Sequence, residues 1–247
     1  MQKSPVIRID PGVPMEVWPD FPESEVCSGS RASVGHRWLN EPQAGLSVGV
    51  WEAPANLGRW MHWPVHEFML IVEGEVVMVE EDRETVIGAG EAFFIPKGRR
   101  CIWNQAGHAK KIFVIFDDTS GAKADGARPI VKFDPDVALT SSPPPSAALL
   151  TSPVPRTRSH LVFEDATGQF SVGVWEASAY ERKLTGFAHT ELMHVLDGTI
   201  SLTDANGFEQ SFGPGETLLV PANTPNRWKT TGTVKKIFCT FSPQAAK

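Results

Sequence analysis

Glu67 and Glu191 stand 124 residues apart, each leading into an apolar run and each near other groups that can bind ions or move protons. His62, His66 and Cys101 accompany the first; His189, His194 and Asn226 accompany the second. A carboxylate in an apolar interior is harder to ionise and can then work as a general acid or base. The same carboxylate can instead be neutralised by an internal arginine or by hydrogen bonds. Strand alternation sorts the neighbours. His66 and Glu67 are adjacent and point to opposite faces, so both cannot readily meet one ion. His189 and Glu191 are two apart and share a face, whereas His194 faces away. Cys101, between Arg100 and Ile102, is either a thiolate ligand or a small buried hydrophobe.

The elements that must position these groups are written twice. Ile7-Arg8-Ile9-Asp10-Pro11 returns as Val131-Lys132-Phe133-Asp134-Pro135, and Ser47–Ala53 returns unchanged as Ser171–Ala177. After one added residue near Gly207, Gly90-Glu91, Pro96, Trp103 and Lys110–Phe113 return as Gly215-Glu216, Pro221, Trp228 and Lys235–Phe238. A repeat of about 120 residues is long enough for a domain with its own core. We therefore expect domains over 1–124 and 125–247. His36 and His160 match at the same spacing and read as structural. Two lysines leading a strand, as at 110–111 and 235–236, are expected to face solvent.

Within each copy, clustered β-branched and aromatic residues interrupted by glycine predict short strands and no long amphipathic helix. Gly74 and Gly198 split one apolar run into two strands. Asp204-Ala205-Asn206-Gly207 is a hairpin signal, since Asn-Gly tolerates positive φ. Proline closes the strands at Ala92–Ile95 and Thr217–Val220. Ser141–Ser146, rich in proline, is expected to be extended and exposed. It lies inside the second repeat; this stretch and residues 16–33 of the first are each expected to be a long arm that wraps its own domain or reaches a neighbour. Many short strands with Gly/Pro turns make a sandwich or a closed barrel.

The formal net charge of −6 and a hydrophobic share of 41% describe an ordinary globular chain and argue against a broad nucleic-acid surface. No apolar run is long enough to span a bilayer, and Met1–Asp10 has no signal-like core, so no membrane partner and a cytoplasmic location are expected. Cys27, Cys101 and Cys239 have no close pair, which argues against a disulfide scaffold or a zinc knuckle. No Gly-rich phosphate loop or Gly-x-Ser-x-Gly elbow occurs.

The strand–Gly–strand–turn–Gly-x5-Pro pattern resembles the cupin superfamily, in particular the small subgroup that includes the cupin domain of ureidoglycine aminohydrolase. Glu67 and Gly74, then Gly90, Pro96 and Gly98, match its two motifs. Glu191 and Gly198, then Gly215 and Pro221, match them again, with Asn223 in place of the second glycine. The resemblance implies an all-β bicupin of two double-stranded β-helix (jelly-roll) barrels. A metal-bearing cupin presents three histidines and a glutamate. The resemblance therefore implies His62, Glu67 and Cys101, with His66, as a candidate site for iron, manganese, nickel or zinc, although Trp60 stands where the first histidine would. In the second copy Gly186 replaces His62 and Asn226 replaces Cys101, leaving His189, Glu191 and Asn226 to bind a polar ligand, or a metal through water.

Arg59, Arg99 and Arg100 fall near the implied barrel mouth, with Arg227 in the second copy. They either orient a substrate carboxylate or form rim salt bridges, the rim bridge being preferred. Trp51, Trp103, Trp175 and Trp228 are paired between copies and read as core. Trp60 and Trp63, replaced by Leu184 and Phe187, either wall an apolar pocket or seal an interface. Three functions stay open. The first is an enzyme acting on a small polar or aromatic metabolite, with Glu67 as ligand or base and His62 as ligand or proton shuttle. The second is a metal-free binding or sensing module with a small-molecule ligand beside Trp60, Trp63 and Arg100. The third is a structural homo-oligomer, most simply a homodimer.

Overall fold

The computed structural model of the chain describes residues 6–118, 126 and 128–242. Among them the regular structure is all β, apart from two single 3₁₀ turns at Pro42–Ala44 and Ala147–Leu149. Among the described residues no helix is long and apolar enough to cross a membrane. Every strand pairing is antiparallel.

The chain divides into two compact units, Pro11–Phe133 and Met1–Asp10 with Asp134–Lys247. In the first, a seven-stranded sheet runs in the order Val131–Lys132, Ala92–Ile95, His66–Glu73, Ala109–Phe116, Leu46–Ala53, Ser33–Glu41, Glu16–Trp18. A second sheet runs Glu84–Gly88, Glu75–Val79, Arg100–Gln105, Asn56–Gly58, Val26–Gly29, with Met61–His62 also on Arg100–Gln105. The other unit repeats the plan with Ile7–Ile9, Thr217–Val220, Thr190–Asp197, Val234–Phe241, Phe170–Ala177, Thr157–Glu164 and Thr140–Ser141. Its smaller sheet is Glu209–Phe212, Ile200–Asp204 and Asn226–Lys229.

The composition of the units differs from a cut between the repeats. The boundary expected at 124/125 falls outside the described residues. The leading strands change places: Ile7–Ile9 pairs with Thr217–Leu219, and Val131–Lys132 pairs with Phe93–Phe94. The two arms wrap the units they belong to. Glu16–Trp18 pairs with Ser33–Gly35, Val26–Gly29 pairs with Asn56–Gly58, and Thr140–Ser141 pairs with Arg158–Ser159.

Each core lies between the two sheets of a unit. In the first it joins Trp51, Met69, Ile71, Phe93 and Phe113 of the large sheet to Val76, Met78, Ile87, Cys101 and Trp103 of the small one. Gly74 and Gly198 mark where the chain leaves one sheet for the other, at φ +80° and +75°. A Cβ at Gly74 would lie 2.1 Å from the His108 carbonyl oxygen, and one at Gly198 2.2 Å from that of Thr233. Glycine is required there for both the backbone angle and the space. Asn223 holds φ +59° where its counterpart Gly98 holds +84°, and asparagine is a residue that tolerates this region.

Candidate ligand pocket and its counterpart

Alternation along His66–Glu73 sends Glu67, Met69 and Ile71 between the sheets and His66 and Phe68 to the reverse face. Glu67 is buried. Its Oε1 accepts a hydrogen bond from Lys111 Nζ at 2.9 Å, and its Oε2 accepts one from Trp63 Nε1 at 3.0 Å. Lys111 comes from the neighbouring strand Ala109–Phe116 and is 8% exposed, against the expectation of a solvent-facing pair. The alternation that buries Lys111 turns Lys110 outward, where Glu52 at 2.9 Å and Glu73 at 3.6 Å hold it. The Lys111 ammonium also lies 5.0 Å and 4.7 Å from the ring centroids of Trp51 and Trp103 and 3.0 Å from Met69 Sδ. Aromatic faces and a paired carboxylate together stabilise a cation that burial alone would expel.

This pair forms part of the wall of a cavity of about 420 Å³. Six aromatic residues, Trp18, Phe21, Trp51, Trp63, Trp103 and Phe113, are among those that line it. Trp63 stacks on Trp103 with centroids 6.2 Å apart, and Phe21 meets Trp51 edge-on. Glu25, Arg37 and Arg59 add charges to the lining, Arg37 and Arg59 being exposed. The size and the apolar lining with few polar groups are those of a small-molecule site.

The other residues singled out in the N-terminal copy do not gather around Glu67. His62 is exposed on a short strand opposite Arg100. His66, on the reverse face, accepts a hydrogen bond from the Lys97 amide on Nδ1 at 3.1 Å and stacks with Phe94 and Phe116. Trp60 is 41% exposed, stands outside the cavity lining, and carries the Arg100 guanidinium on its face at 4.4 Å. Arg100 forms an exposed salt bridge with Glu81, whereas Arg99 pairs at 2.6 Å with the buried Glu80, which is not the rim bridge expected. Cys101 points into the core and its Sγ approaches the Arg99 carbonyl at 3.8 Å. Burial, reinforced by the Glu80 carboxylate, pushes its thiol up to about 12.

These positions do not fit a divalent ion. The ammonium of Lys111 holds the carboxylate oxygen a metal would need. Cys101 lies within the apolar core, one imidazole is on the surface, and the other is behind the sheet. Among the described residues no group of three His, Cys, Asp or Glu side chains is arranged to hold a metal.

The C-terminal copy repeats the ion pair with different surroundings. Glu191 Oε1 accepts from Lys236 Nζ at 2.7 Å, and Lys236 lies 4.9 Å and 5.3 Å from the rings of Trp175 and Trp228. The second oxygen meets His189 Nε2 at 3.2 Å, so His189 replaces Trp63 as its partner. Burial alone would raise the Glu191 carboxyl, but the Lys236 charge and the His189 hydrogen bond outweigh it and hold the group at about 2. Asn226 is engaged elsewhere: its Oδ1 accepts from Arg182 Nη2 at 3.1 Å and its Nδ2 donates to the Thr224 carbonyl at 2.9 Å. His189 and Glu191 thus come together, while Asn226 serves Arg182.

Tyr180 and Arg182 stand at the places of Asn56 and Gly58 in the repeat, both of which line the N-terminal cavity. Tyr180 stacks on Trp228 at 5.6 Å, and Arg182 lies 4.1 Å over Phe187. Two bulky residues thus stand where the first copy has an asparagine and a glycine. Lys111, Lys236, Tyr180 and Arg182 are the site residues that sequence reasoning missed. The signal for the lysines was their recurrence in register with an inward-facing neighbour.

The EutQ-like cupin domain model matches residues 40–113 and again 164–238. A protein of unknown function from Pseudomonas syringae pv. tomato, of the DUF861 family, is 23% identical over 96% of this chain and 100% of its own, with a TM-score of 0.78. A cupin 2 conserved barrel domain protein from Leptotrichia buccalis is 14% identical over 88% of this chain and 92% of its own, with a TM-score of 0.58. No curated protein matches the chain. The superfamily resemblance is upheld; nothing singles out the ureidoglycine aminohydrolase subgroup.

Proposed function

We propose that the chain, which belongs to the EutQ-like cupin domain family, binds a small molecule in its N-terminal unit through the buried Lys111–Glu67 pair. The ligand has a flat apolar body and one strongly hydrogen-bond-accepting group. The observation that carries this reading is the position of Lys111, a fixed ammonium in the wall of an aromatic cavity. The rings supply area for the apolar body, and Lys111, already desolvated, supplies a charge-assisted hydrogen bond at little further expense in hydration. The ion pair takes the place a metal would have, so the reading needs no divalent ion. The same pair supports a second reading, in which Lys111 gives a proton to the bound molecule and Glu67 accepts one. That reading adds a reaction to the same site and the same ligand chemistry.

The test is binding of anilinonaphthalene sulfonate, a flat aromatic anion, followed by fluorescence. One site per chain is expected. Lys111→Met should weaken it at least about tenfold while the circular dichroism spectrum stays unchanged. Trp63→Ala should weaken it as well. Equal affinity in the wild type and both variants would refute the proposal.

A further inference from the structure

The wall of the N-terminal cavity holds more positive than negative charge. Three of its residues are cations, Arg37, Arg59 and Lys111, and two are carboxylates, Glu25 and Glu67. Lys111 and Glu67 neutralise each other at 2.9 Å. Arg59 and Glu25 share one corner: the Arg59 amide donates to the Glu25 carbonyl at 2.9 Å, and Arg59 Nε donates to the Val26 carbonyl at 3.2 Å. Arg37 is left over. Its Nε donates to Ser47 Oγ at 3.2 Å and its guanidinium lies 4.1 Å over the Trp18 ring. Among the described residues no carboxylate stands within ion-pair distance of it. A guanidinium held this way keeps its two Nη groups for a partner, and a carboxylate is the anion whose geometry suits them.

Strand register sets the span between this charge and Lys111. Arg37 pairs with Gly49 and Gly49 with Phe113, so the Arg37 side chain leaves the sheet on the face that Phe113 gives to the cavity. Lys111 is two strands away, about 10 Å across the sheet. Phe113 meets Trp18 edge-on at 5.9 Å, so the surface beside the Arg37 end is aromatic. A single ring with a polar group at each end, plus a hydrogen bond at either end, spans about that distance. The second copy serves as a control. Leu161 stands in the place of Arg37 and pairs with Gly173 in the same way, and Ser171, the counterpart of Ser47, bonds Thr240 at 2.7 Å instead. The cation therefore belongs to the copy with the aromatic cavity and is no requirement of the fold.

We infer that the N-terminal site takes an aromatic monocarboxylate whose ring bears a hydroxyl or carbonyl opposite the acid, Arg37 holding the carboxylate and Lys111 the second group. This rests on the pocket reading proposed above and adds the class of ligand and its direction. Arg37 is then the residue that separates an acid from its neutral analogue.

The test is calorimetric titration of the whole chain with para-hydroxybenzoate and para-hydroxybenzamide, which share ring and hydroxyl and differ in charge. The wild type should bind the acid at least about fivefold more tightly, by a margin that shrinks as sodium chloride is added. Arg37→Leu, the residue of the second copy, should weaken the acid at least about fivefold and the amide less than about twofold. Arg37 is exposed, so the fold should survive, and Arg37→Gln repeats the test should the leucine variant precipitate. Lys111→Met should weaken both ligands and keep the preference for the acid. Equal affinity for acid and amide in the wild type, no saturable binding of the acid, or a preference kept in both Arg37 variants would overturn the inference. Binding of anilinonaphthalene sulfonate that depends on Lys111, without any preference for the acid, would sink this inference and leave the pocket reading standing; binding indifferent to Lys111 and Trp63 would sink the pocket reading itself.

Discussion

Replacing Lys236 by methionine tests whether the internal lysine is what makes a buried glutamate tolerable. Methionine keeps an unbranched apolar stem against Trp175 and Trp228 and removes only the ammonium. In the wild type the Glu191 carboxyl is held at about 2, below its ordinary 4.5. A depression of that size corresponds to about 3 kcal/mol of stability at neutral pH, present above the ordinary value and lost as pH falls toward 2. Without Lys236, burial dominates and the carboxyl moves above 4.5, with His189 its only remaining partner. The penalty then stands above the new value and is relieved as pH falls. Lys236→Met should therefore be destabilised by about 3–5 kcal/mol at pH 7, by less at pH 5, and largely rescued by adding Glu191→Gln. Urea unfolding of the four proteins of the cycle at both pH values measures this. A loss under about 1 kcal/mol, or a double variant no better than the single one, would refute the reasoning.

His194 and the glycines give two further expectations. Burial lowers the His194 imidazole to about 4, and Thr217 bonds its Nδ1 at 2.9 Å. The unfolded chain takes up this proton near pH 6.5 and the folded one does not, so about 3 kcal/mol is lost as pH falls from 6.5 through 4. His194→Leu, the residue at this place in the first copy, should flatten that part of the stability profile in pH-dependent urea unfolding. Gly90 and Gly74 have nearly equal φ, +84° and +80°, but an added Cβ meets nothing within 4 Å at Gly90 and a carbonyl at 2.1 Å at Gly74. Gly90→Ala should cost about 1 kcal/mol and Gly74→Ala clearly more in the same assay.

The duplication, the strand breaks at Gly74 and Gly198, and the hairpin at Asp204–Gly207 were legible because each rests on local backbone chemistry. The inward direction of Glu67 and Glu191 was legible because period-two alternation follows once the strand is placed. Lys111 and Lys236 were misjudged because Lys-Lys sends one side chain to each face, and only the pairing with the Glu67 strand shows which one is buried. The contrast between Asn56/Gly58 and Tyr180/Arg182 was missed because the first pair lies on a strand of only three residues and the second lies outside the named strands, too little of either to show a periodicity. The partner of a leading strand was beyond reach for another reason. Ile7-Arg8-Ile9 and Val131-Lys132-Phe133 are alike, and similarity tells what a segment is but not which sheet edge it completes.

That choice of edge matters while the chain is being made. Ile7–Ile9 is synthesised long before its neighbour, Thr217–Leu219. Until that neighbour has been made, Ile7–Ile9 must wait unpaired. The Pro11–Phe133 half, by contrast, has its own last strand as soon as Val131–Lys132 appears and can close long before the rest of the polypeptide exists.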